Sequence, residues 1–422
     1  MSDVLFDGRR VHRRAYVDPQ VFELEMDRIF AGTWVYLAHE SQIPEPNDYV
    51  VVEIGRRSVI VTRRPDGNVA ALLNRCTHRG VQLCVEQAGS AKRFTCAYHG
   101  WTFANDGTCV AVPFPRPYGE TLDKSAYDLG RFPRVEIRHG FIFGSLTPEV
   151  PTLDEHLGAA ADLLGEWTAR SPSGRVVVGS GARRIQIAGN WKLCWDNAAD
   201  GYHAGFVHKS LVVMTNERHG GGKSLSHFDR DPDAGAMYTA DLGRGHAFLD
   251  QRPAVAPDRW AHARPVPAAE EIVDALRREV GDDQLAAHLD LVPGAAMNIS
   301  IFPNLFLSGN LLATLEPVSV GLSNMTSWAT TYDGVPDAVN QLRLRFSEDF
   351  VNFGEPDDIE VWERTQRALS IGEVQWLDVS RGSGLDGDAD ERGVRRVPIT
   401  YETSLRSYLA EWARLLDLEG AR

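Results

Sequence analysis

Two short segments of this sequence pair a cysteine with a histidine at spacings typical of metal binding. One residue separates Cys76 from His78, and two residues separate Cys96 from His99. Two thiolates and two imidazoles either bind one zinc ion or divide over the two irons of an iron–sulfur cluster. The residue types therefore predict a metal site and leave structural zinc and a two-iron, two-sulfur cluster as alternatives.

The spacing of the two pairs favours a pair of loops that face each other. Each pair follows a β-rich run, and Gly80 and Gly100 permit the tight backbone that a loop tip needs. Two adjacent tips could hold a cluster from both sides, and Trp101 would pack beside it and limit the access of water. The other cysteines have no histidine at such a spacing and are expected to be small buried residues: Cys84, Cys109 and Cys194.

A second group of candidate ligands lies in the segment 190–208, which reads NWKLCWDNAADGYHAGFVH. His203 and His208 are five residues apart, and Asp200 precedes His203 by three. A lone histidine is usually a structural residue, but two histidines and an acid within nine residues indicate a metal site. Two imidazoles and one carboxylate on iron(II) leave one face of the metal open for O2 and substrate.

The carboxylate of such a site is expected in the C-terminal half, where residues 354–369 read GEPDDIEVWERTQRAL. Asp357 and Glu360 match a capping box, with Asp357 as the N-cap residue of a helix. That arrangement leaves Asp358 free to point inward as the ligand. Ordinary helix capping and a solvated helix face are the alternative for both aspartates.

The elements that must position these residues predict an α+β protein. The apolar spacing in residues 19–30 fits an amphipathic helix, and short strands with glycine-containing turns occupy residues 45–150. We predict three parts: an N-terminal helical segment 1–44 that packs on the larger domain, a β-rich domain 45–150 and a mixed domain 151–422. Helices of the mixed domain are expected at 151–167, 198–208, 268–280, 337–350, 357–369 and 404–418.

Composition excludes several classes of function. The chain has 422 residues and a formal net charge of −14, which argues against nucleic acid or an anionic membrane as a partner. The sequence shows no apolar run typical of a signal peptide or a membrane helix, so a cytoplasmic protein is expected. Four of its five cysteines fall within residues 76–109, a clustering that favours metal binding over disulfides.

The metal-binding motifs resemble those of a known protein family. CTHRG at 76–80 and CAYHGW at 96–101 resemble the two Rieske boxes of ring-hydroxylating oxygenases. The segment 190–208 resembles the mononuclear iron motif of the same family, with Asp196 where a glutamate is usual. Softer likenesses to the large subunits of aromatic-ring dioxygenases run through much of the chain, in DLGRGHAFLD, NISIFPNLFL, QWLDVSRG and TYETSLRSYLAEWARLL.

The resemblance implies two cofactors and a link between them. A Rieske [2Fe-2S] cluster would be held by Cys76, His78, Cys96 and His99, and a mononuclear Fe(II) by His203, His208 and Asp358. Asp200 would be the bridging carboxylate, hydrogen-bonded toward His99 of the neighbouring subunit. The implied fold is a β-rich Rieske domain beside a helix-grip-like catalytic domain, in which helices wrap an antiparallel sheet.

The resemblance also implies a reaction and an assembly. O2 and two electrons from NADH would convert a small aromatic substrate, with aromatic carboxylic acids one candidate class, to a cis-dihydrodiol or a hydroxylated ring. Because the chain has no convincing GxGxxG fingerprint, a separate reductase or ferredoxin should deliver the electrons. The family forms homotrimers, often with a small β subunit as α3β3, in which electrons cross between neighbouring subunits.

The sequence leaves two alternative functions open and also suggests residues that line the substrate pocket. The first alternative is a monooxygenase or demethylase with the same cofactors, and the second is a metal-binding electron-transfer protein without oxygenase activity. Position near the ligands, or on a facing strand, predicts the following substrate-pocket residues: Asn197, Phe206, Val207, Asn298, Phe302 and Phe353.

Overall fold

The computed structural model describes residues 4–119, 122–179, 181–211, 213, 237–255, 260, 266 and 268–418. The α-helices of this part are α1 (Arg14–Val17), α2 (Pro19–Arg28), α3 (Leu153–Leu157), α4 (Ala160–Thr168), α5 (Trp191–Ala198), α6 (Ala204–Val207), α7 (Ala269–Val280), α8 (Asp282–Leu289), α9 (Asp337–Asp349), α10 (Glu355–Ala368) and α11 (Thr403–Leu415). A π-helical turn, Phe350–Gly354, joins α9 to α10. Among the described helices, none is long and apolar enough to cross a bilayer.

The strands of the described residues fall into two groups along the chain. The first group comprises β1 (Arg10–His12), β2 (Val35–His39), β3 (Asp48–Ile54), β4 (Arg57–Arg63), β5 (Val69–Leu73), β6 (Ala88–Ser90), β7 (Arg93–Thr95), β8 (Thr102–Ala104), β9 (Cys109–Ala111), β10 (Arg134–Arg138) and β11 (Phe141–Ser145). The second comprises β12 (Val176–Val177), β13 (Arg183–Ile187), β14 (Tyr238–Asp241), β15 (Ala247–Asp250), β16 (Met297–Ile301), β17 (Leu305–Ser308), β18 (Leu311–Ser319), β19 (Leu322–Ala329), β20 (Thr331–Tyr332), β21 (Trp376–Asp378) and β22 (Arg395–Pro398).

The chain forms two compact units. One runs from Met26 to Leu153, and the other combines the residues up to Glu25 with those from Asp154 onward. These limits differ from the predicted domain limits, because residues 26–44 belong to the first unit. The reason is strand β2, whose five buried residues pair with β11 inside that unit.

The first unit consists of small antiparallel sheets. Their strand orders are β5-β4-β3-β6, β7-β8-β9 and β10-β11-β2. The β-branched runs VVVEI and SVIVT suit a pleated, half-buried surface, and they form β3 and β4. Ile60, Leu72 and Phe103 are fully buried in the core that lies beneath the two Cys-His loops. The predicted β-rich character of this region is therefore confirmed.

The second unit is built on an eight-stranded antiparallel sheet with the order β13-β19-β18-β17-β16-β15-β14-β22. Helices α4, α5, α10 and α11 contact its strands. The central strands β16 and β17 read MNISI and LFLS and are mostly buried, as expected for a sheet that is covered by helices. The predicted antiparallel sheet wrapped by helices is confirmed.

A buried ion pair fastens the N-terminal helix α2 to two helices of the second unit. Glu25 and Lys192 are both fully buried, with Lys192 Nζ 2.5 Å from Glu25 Oε1. The indole N–H groups of Trp191 and Trp412 also donate to this carboxylate, each at 2.8 Å. The additional donors matter because burying charges is costly unless their hydrogen-bonding capacity is satisfied.

The helix expected at 151–167 is divided into α3 and α4, and two further predicted helices differ from those observed. The helix expected at 198–208 is instead α5, which ends at Ala198, followed by a turn and the short α6. Asn190 caps α5 by accepting a hydrogen bond from Lys192 N, so the helix starts earlier than expected. Gly201 lies in the turn, where a Cβ atom would come within 2.7 Å of the Ile399 carbonyl oxygen. Only glycine passes this close to the neighbouring backbone.

The second difference concerns the predicted capping box. Helix α10 begins at Glu355 with Gly354 as its N-cap residue, so Asp357 lies within the first turn and the prediction that it caps the helix is wrong. Pro356 near the helix start explains the shift, since proline is tolerated in the first turn, where its missing N–H has no helical partner. The helices predicted near 268–280, 337–350 and 404–418 are confirmed within two or three residues.

Candidate metal centres

The two Cys-His segments form loops of matching backbone geometry. Cys76 N donates to Val81 O at 2.8 Å, and Cys96 N donates to Trp101 O at the same distance. The glycine that follows each histidine donates back to the cysteine carbonyl at 2.9 Å and has a φ of +80° at Gly80 and +70° at Gly100. These left-handed conformations favour glycine, as the sequence indicated.

The four side chains at the loop tips are arranged as two pairs. The thiols of Cys76 and Cys96 are buried and close enough to interact, whereas the rings of His78 and His99 lie 4.7 Å apart and nearer to solvent. Among the described residues, these four donors do not form a converging group of three or more. Four ligands of one tetrahedral zinc, with bonds of roughly 2.0–2.3 Å, would converge on one point. A sulfur pair opposite a nitrogen pair fits two irons better.

Side chains around the loops restrict the positions of the ligands. The Trp101 ring is buried and stacks on His78 at 4.8 Å between centroids, as the sequence predicted. Asn74 is buried beneath the first loop, where its amide donates to Cys84 O and its oxygen accepts from Cys84 N. Sequence analysis did not identify Asn74. The predicted burial of the remaining cysteines, Cys84, Cys109 and Cys194, is confirmed.

The second group of candidate ligands converges on one point in the other unit. The donor atoms of His203, His208 and Asp358 all lie within 4.8 Å of one another. Asp358 Oδ1 is 3.3 Å from His208 Nε2 and 3.7 Å from His203 Nε2. Helix α10 supplies the carboxylate, and the two histidines flank the short helix α6.

The chemistry of this donor set fits a divalent metal ion. Asp358 is 3% exposed, and its Oδ1 has no hydrogen-bond partner in the described part of the chain, an arrangement that is costly without a cation. Burial raises the pKa of Asp358 to about 7 and lowers the pKa of His208 to about 4. Burial therefore favours neutral histidine, and a cation would favour an ionised carboxylate, which are the forms that bind metals.

Asp200 lies behind the first of these histidines. Its Oδ2 is 3.3 Å from His203 Nδ1, and its Oδ1 accepts a hydrogen bond from Tyr202 N at 2.6 Å. Burial acts to lower the pKa of His203, but the Asp200 carboxylate raises it, and the pKa is raised overall. The contact orients His203 Nε2 toward Asp358, in the way that a carboxylate commonly orients a metal-binding histidine.

A cavity of about 370 Å³ opens beside the three converging side chains. Its volume lies within the range of small-molecule sites. Much of its wall comes from four adjacent strands, β16 to β19, through the alternating pairs Asn298 and Ser300, Phe306 and Ser308, Leu311 and Ala313, and Met325 and Ser327. Phe346, Phe350 and Trp362 contribute aromatic surface from the helical side. The cavity therefore combines an apolar interior with neutral polar groups on the strands and with the acidic and histidine side chains near Asp358.

Two of the predicted pocket residues, Asn197 and Asn298, line this cavity. Phe206 and Val207 do not, and Phe206 is 72% exposed because α6 directs it outward. Phe302 also lies elsewhere, because β16 ends at Ile301 and its ring packs against buried tryptophans of α5.

Phe353, the remaining predicted pocket residue, lies in the π-helical turn that precedes α10 and is 46% exposed. Another residue of that turn, Phe350, lines the cavity instead, with its ring 5.8 Å from that of His208. Period-two alternation along β16 to β19 was the signal for the liners that the sequence analysis missed. The alternation identifies the cavity-facing residues only when the strand register is known. The register places Ser300 opposite Phe306 and Ala313 opposite Ser327.

Comparison with known proteins agrees with this architecture. Residues 33–133 match the family model of the Rieske [2Fe-2S] domain, and residues 175–416 match that of the ring hydroxylating alpha subunit (catalytic domain). The chain is 34% identical over 412 residues to the 2-halobenzoate 1,2-dioxygenase large subunit of Burkholderia cepacia, covering 93% of this chain and 85% of the relative. It is 43% identical over 415 residues to the large oxygenase component of a naphthalene 1,2-dioxygenase system of Ralstonia sp, covering 93% and 88%.

A solved structure of naphthalene 1,2-dioxygenase with indole bound in the active site superposes with a TM-score of 0.81 at 27% identity. The match covers 99% of this chain and 95% of that chain. The fold and the matched domains define an iron-dependent oxidoreductase with a Rieske cluster and a separate mononuclear iron. The chain belongs to the ring-hydroxylating alpha subunits, the catalytic large subunits of Rieske aromatic-ring dioxygenases.

Proposed function

We propose that this protein oxygenates a small aromatic compound at a mononuclear iron(II) held by His203, His208 and Asp358. The observation that carries the proposal is the convergence of these three side chains beside the 370 Å³ cavity. Two histidines and one carboxylate are the ligand set of many non-haem iron(II) oxygenases. The Rieske cluster would be held by a second set of ligands, Cys76, His78, Cys96 and His99.

When bound, the iron would supply activation of O2, and the cluster would supply electrons one at a time. The chain's own residues supply position and exclusion of water. The apolar wall around Phe306 and Phe350 binds the ring, and Asn197 hydrogen-bonds to Asp358 and holds its carboxylate in place. The Asp200 carboxylate accepts a hydrogen bond from His203 Nδ1–H. This contact fixes the tautomer that presents Nε2 to the metal.

The finer features of assembly are part of the same proposal. The electron donor is a separate ferredoxin or reductase that draws on NADH, and the multi-component naming of the Ralstonia relative supports this. A homotrimer, with or without a small β subunit, brings His99 of one subunit to Asp200 of the next. His99 lies exposed on its loop, as such a contact requires. The protein is proposed to act in the cytoplasm.

The charge of the cavity wall bears on the substrate class. The wall includes the carboxylates of Asp200, Glu355 and Asp358, but no lysine or arginine among its described residues. A carboxylate substrate would then lie near three protein carboxylates, with the proposed iron as its only cation among the described wall, which is unfavourable. We therefore expect a neutral arene such as naphthalene to be preferred by at least roughly tenfold in kcat/KM over a matched arene carboxylate such as naphthoate. Higher kcat/KM for the acid would contradict this and support the aromatic-acid substrate class.

The decisive experiment is product analysis with the purified protein, a reductase, NADH and 18O2. We expect a product that contains two oxygen atoms from O2 and loss of that product in the Asp358→Asn variant, with the cluster absorbance retained. One incorporated oxygen atom would support the monooxygenase alternative. No oxygenated product from any substrate, with both metals present, would contradict the proposal and favour an electron-transfer protein.

A further inference from the structure

The second ring nitrogen of His208 lies in an unusual environment. His208 Nδ1 is buried and has no hydrogen-bond partner among the described residues. The carboxylate of Asp357 lies on this side of the ring, with Oδ2 3.9 Å from Nδ1. If Nε2 binds a metal, Nδ1 must carry the ring proton, and that proton needs an acceptor.

We propose that Asp357 is the positioning residue of His208 and accepts its Nδ1–H when the metal is bound. This inference rests on the proposed function, because it assumes that His208 Nε2 is a ligand. The carboxylate needs to move by about 1 Å to reach ordinary hydrogen-bond distance. Its place in the first turn of α10, rather than at the N-cap, leaves it free of a capping role.

Two consecutive residues of α10 thus lie beside the two nitrogens of the His208 ring. Asp358 is almost fully buried and faces Nε2 at 3.3 Å, whereas the Asp357 side chain is one-third exposed and faces Nδ1. Successive residues of a helix point roughly 100° apart, which allows two neighbouring carboxylates to lie on two sides of the same ring. Ser210 Oγ donates to Asp357 Oδ2 at 3.2 Å and holds the carboxylate near His208.

The same arrangement exists at the other histidine. His203 Nε2 faces Asp358, and His203 Nδ1 lies 3.3 Å from the Asp200 carboxylate. Each histidine therefore has the shared Asp358 on one side and an acid of its own on the other. Groups that receive the second ring N–H of a metal-binding histidine raise its basicity and fix its tautomer. Asp357 would do for His208 what Asp200 does for His203.

The test measures metal affinity rather than turnover. Protein with an intact cluster is freed of its mononuclear iron, and iron(II) binding is measured by competition with a chromogenic chelator. We expect Asp357→Asn to weaken iron(II) binding by about 10- to 100-fold. We expect Asp357→Glu to recover most of this loss, because the longer side chain can span the present gap. Glu360→Gln is the matched control, since Glu360 lies on the same helix, is exposed and pairs with Arg364.

A role in folding alone would give a different pattern. Positioning predicts that Asp357→Asn leaves the cluster absorbance and the melting temperature of the iron-depleted protein unchanged, and reduces only the rise in melting temperature on adding iron(II). Unchanged iron affinity in Asp357→Asn, or an equal loss in Glu360→Gln, would overturn the inference. Complete loss of iron in Asp357→Asn with normal binding in Asp358→Asn would instead make Asp357 the ligand. Normal binding in Asp358→Asn and in a His203→Ala variant would refute the proposed function itself.

Discussion

Cysteine occurs in this chain in two kinds of surroundings, which shows how neighbours decide what a residue can do. Cys76 and Cys96 lie in glycine-containing loops beside histidines, with their thiols close together. Burial raises the pKa of the Cys76 thiol as well as that of Cys84, which reaches about 11, so burial alone does not separate the two kinds of cysteine. Cys84 differs because its backbone N–H and C=O are both bonded to Asn74 and no histidine follows it at ligand spacing.

This difference predicts opposite results for two matched substitutions. Cys76→Ala should abolish the visible absorbance of the Rieske cluster and remove its two irons and its acid-labile sulfide. Cys84→Ala should keep the cluster and lower stability by about 1 kcal/mol, because it removes one buried sulfur atom. Absorbance spectra together with iron and sulfide analysis check both variants. A cluster that persists in Cys76→Ala would contradict the proposed ligand set.

Asp200 presents a separate question at the residue scale, because it lies beside His203 without facing the shared point near Asp358. Asp200→Asn retains the size of the side chain but removes its charge. We expect this variant to keep the cluster, to bind iron(II) about 10- to 100-fold more weakly, and, with iron(II) supplied in excess, to lose about 100-fold or more in the rate of product formation. Reduction of the cluster by the donor should be unaffected in stopped-flow measurements. Normal turnover by Asp200→Asn would exclude the proposed electron route.

At the scale of elements, a buried histidine connects three segments that support the catalytic sheet. His246 precedes β15, its Nε2–H donates to His156 O in α3, and its Nδ1 accepts from Phe302 N after β16. Both nitrogens are engaged only when the ring is neutral. Burial lowers the pKa of His246 to about 4, and the nearby Arg244 acts in the same direction.

The lowered pKa predicts sensitivity to acid. Because an unfolded histidine takes up its proton near pH 6.5, the stabilising contribution is complete above pH 6.5 and is lost as the pH falls toward 4. The shift corresponds to about 3 kcal/mol. His246→Gln should be less stable at pH 7.5, and its unfolding free energy should fall less steeply between pH 7 and pH 4.5 than that of the wild type.

Chemical denaturation across this pH range measures the effect. His288→Gln is the control, because the ring of His288 contacts the backbone of its own helix α8. This control should follow the wild-type pH profile. Identical acid sensitivity in His246→Gln and the wild type would show that His246 is not responsible.

At the scale of the whole molecule, the proposed function requires cooperation between chains. If electrons pass from the cluster of one subunit to the iron of the next, the cluster and the iron that work together belong to different chains. A chain that lacks one of the two sites can then still contribute the other. Two inactive variants then become complementary: Cys76→Ala lacks the cluster, and Asp358→Asn lacks the mononuclear iron.

We expect co-expression of these two variants to restore partial activity in mixed oligomers, because some neighbours then combine an intact cluster with an intact iron site. Separately purified and unmixed variants are the control and should remain inactive. Product formation per mixed oligomer and its mass in solution are the measurements. No recovery in verified mixed oligomers would contradict electron transfer between subunits.

The sequence by itself determined those features that depend on local spacing. The two Cys-His loops are short segments whose glycines and strand flanks are adjacent in the chain, so their geometry could be predicted from a few residues. The same holds for the α+β class and for long amphipathic helices such as α7. In these cases the interactions that form the structure lie within a few positions of one another.

Only the tertiary structure decided which distant residues meet. It brought Asp358 to His203 and His208, placed Asp357 behind His208, and brought Gly201, in the turn after α5, against Ile399. The cavity wall depends on the register of four strands, and a shift of one residue in register would turn every side chain of a strand to the other face. For that reason Phe306 could not be predicted, whereas Phe350 was missed because it lies in a π-helical turn that the sequence did not indicate. Phe302 packs in the core because β16 ends just before it.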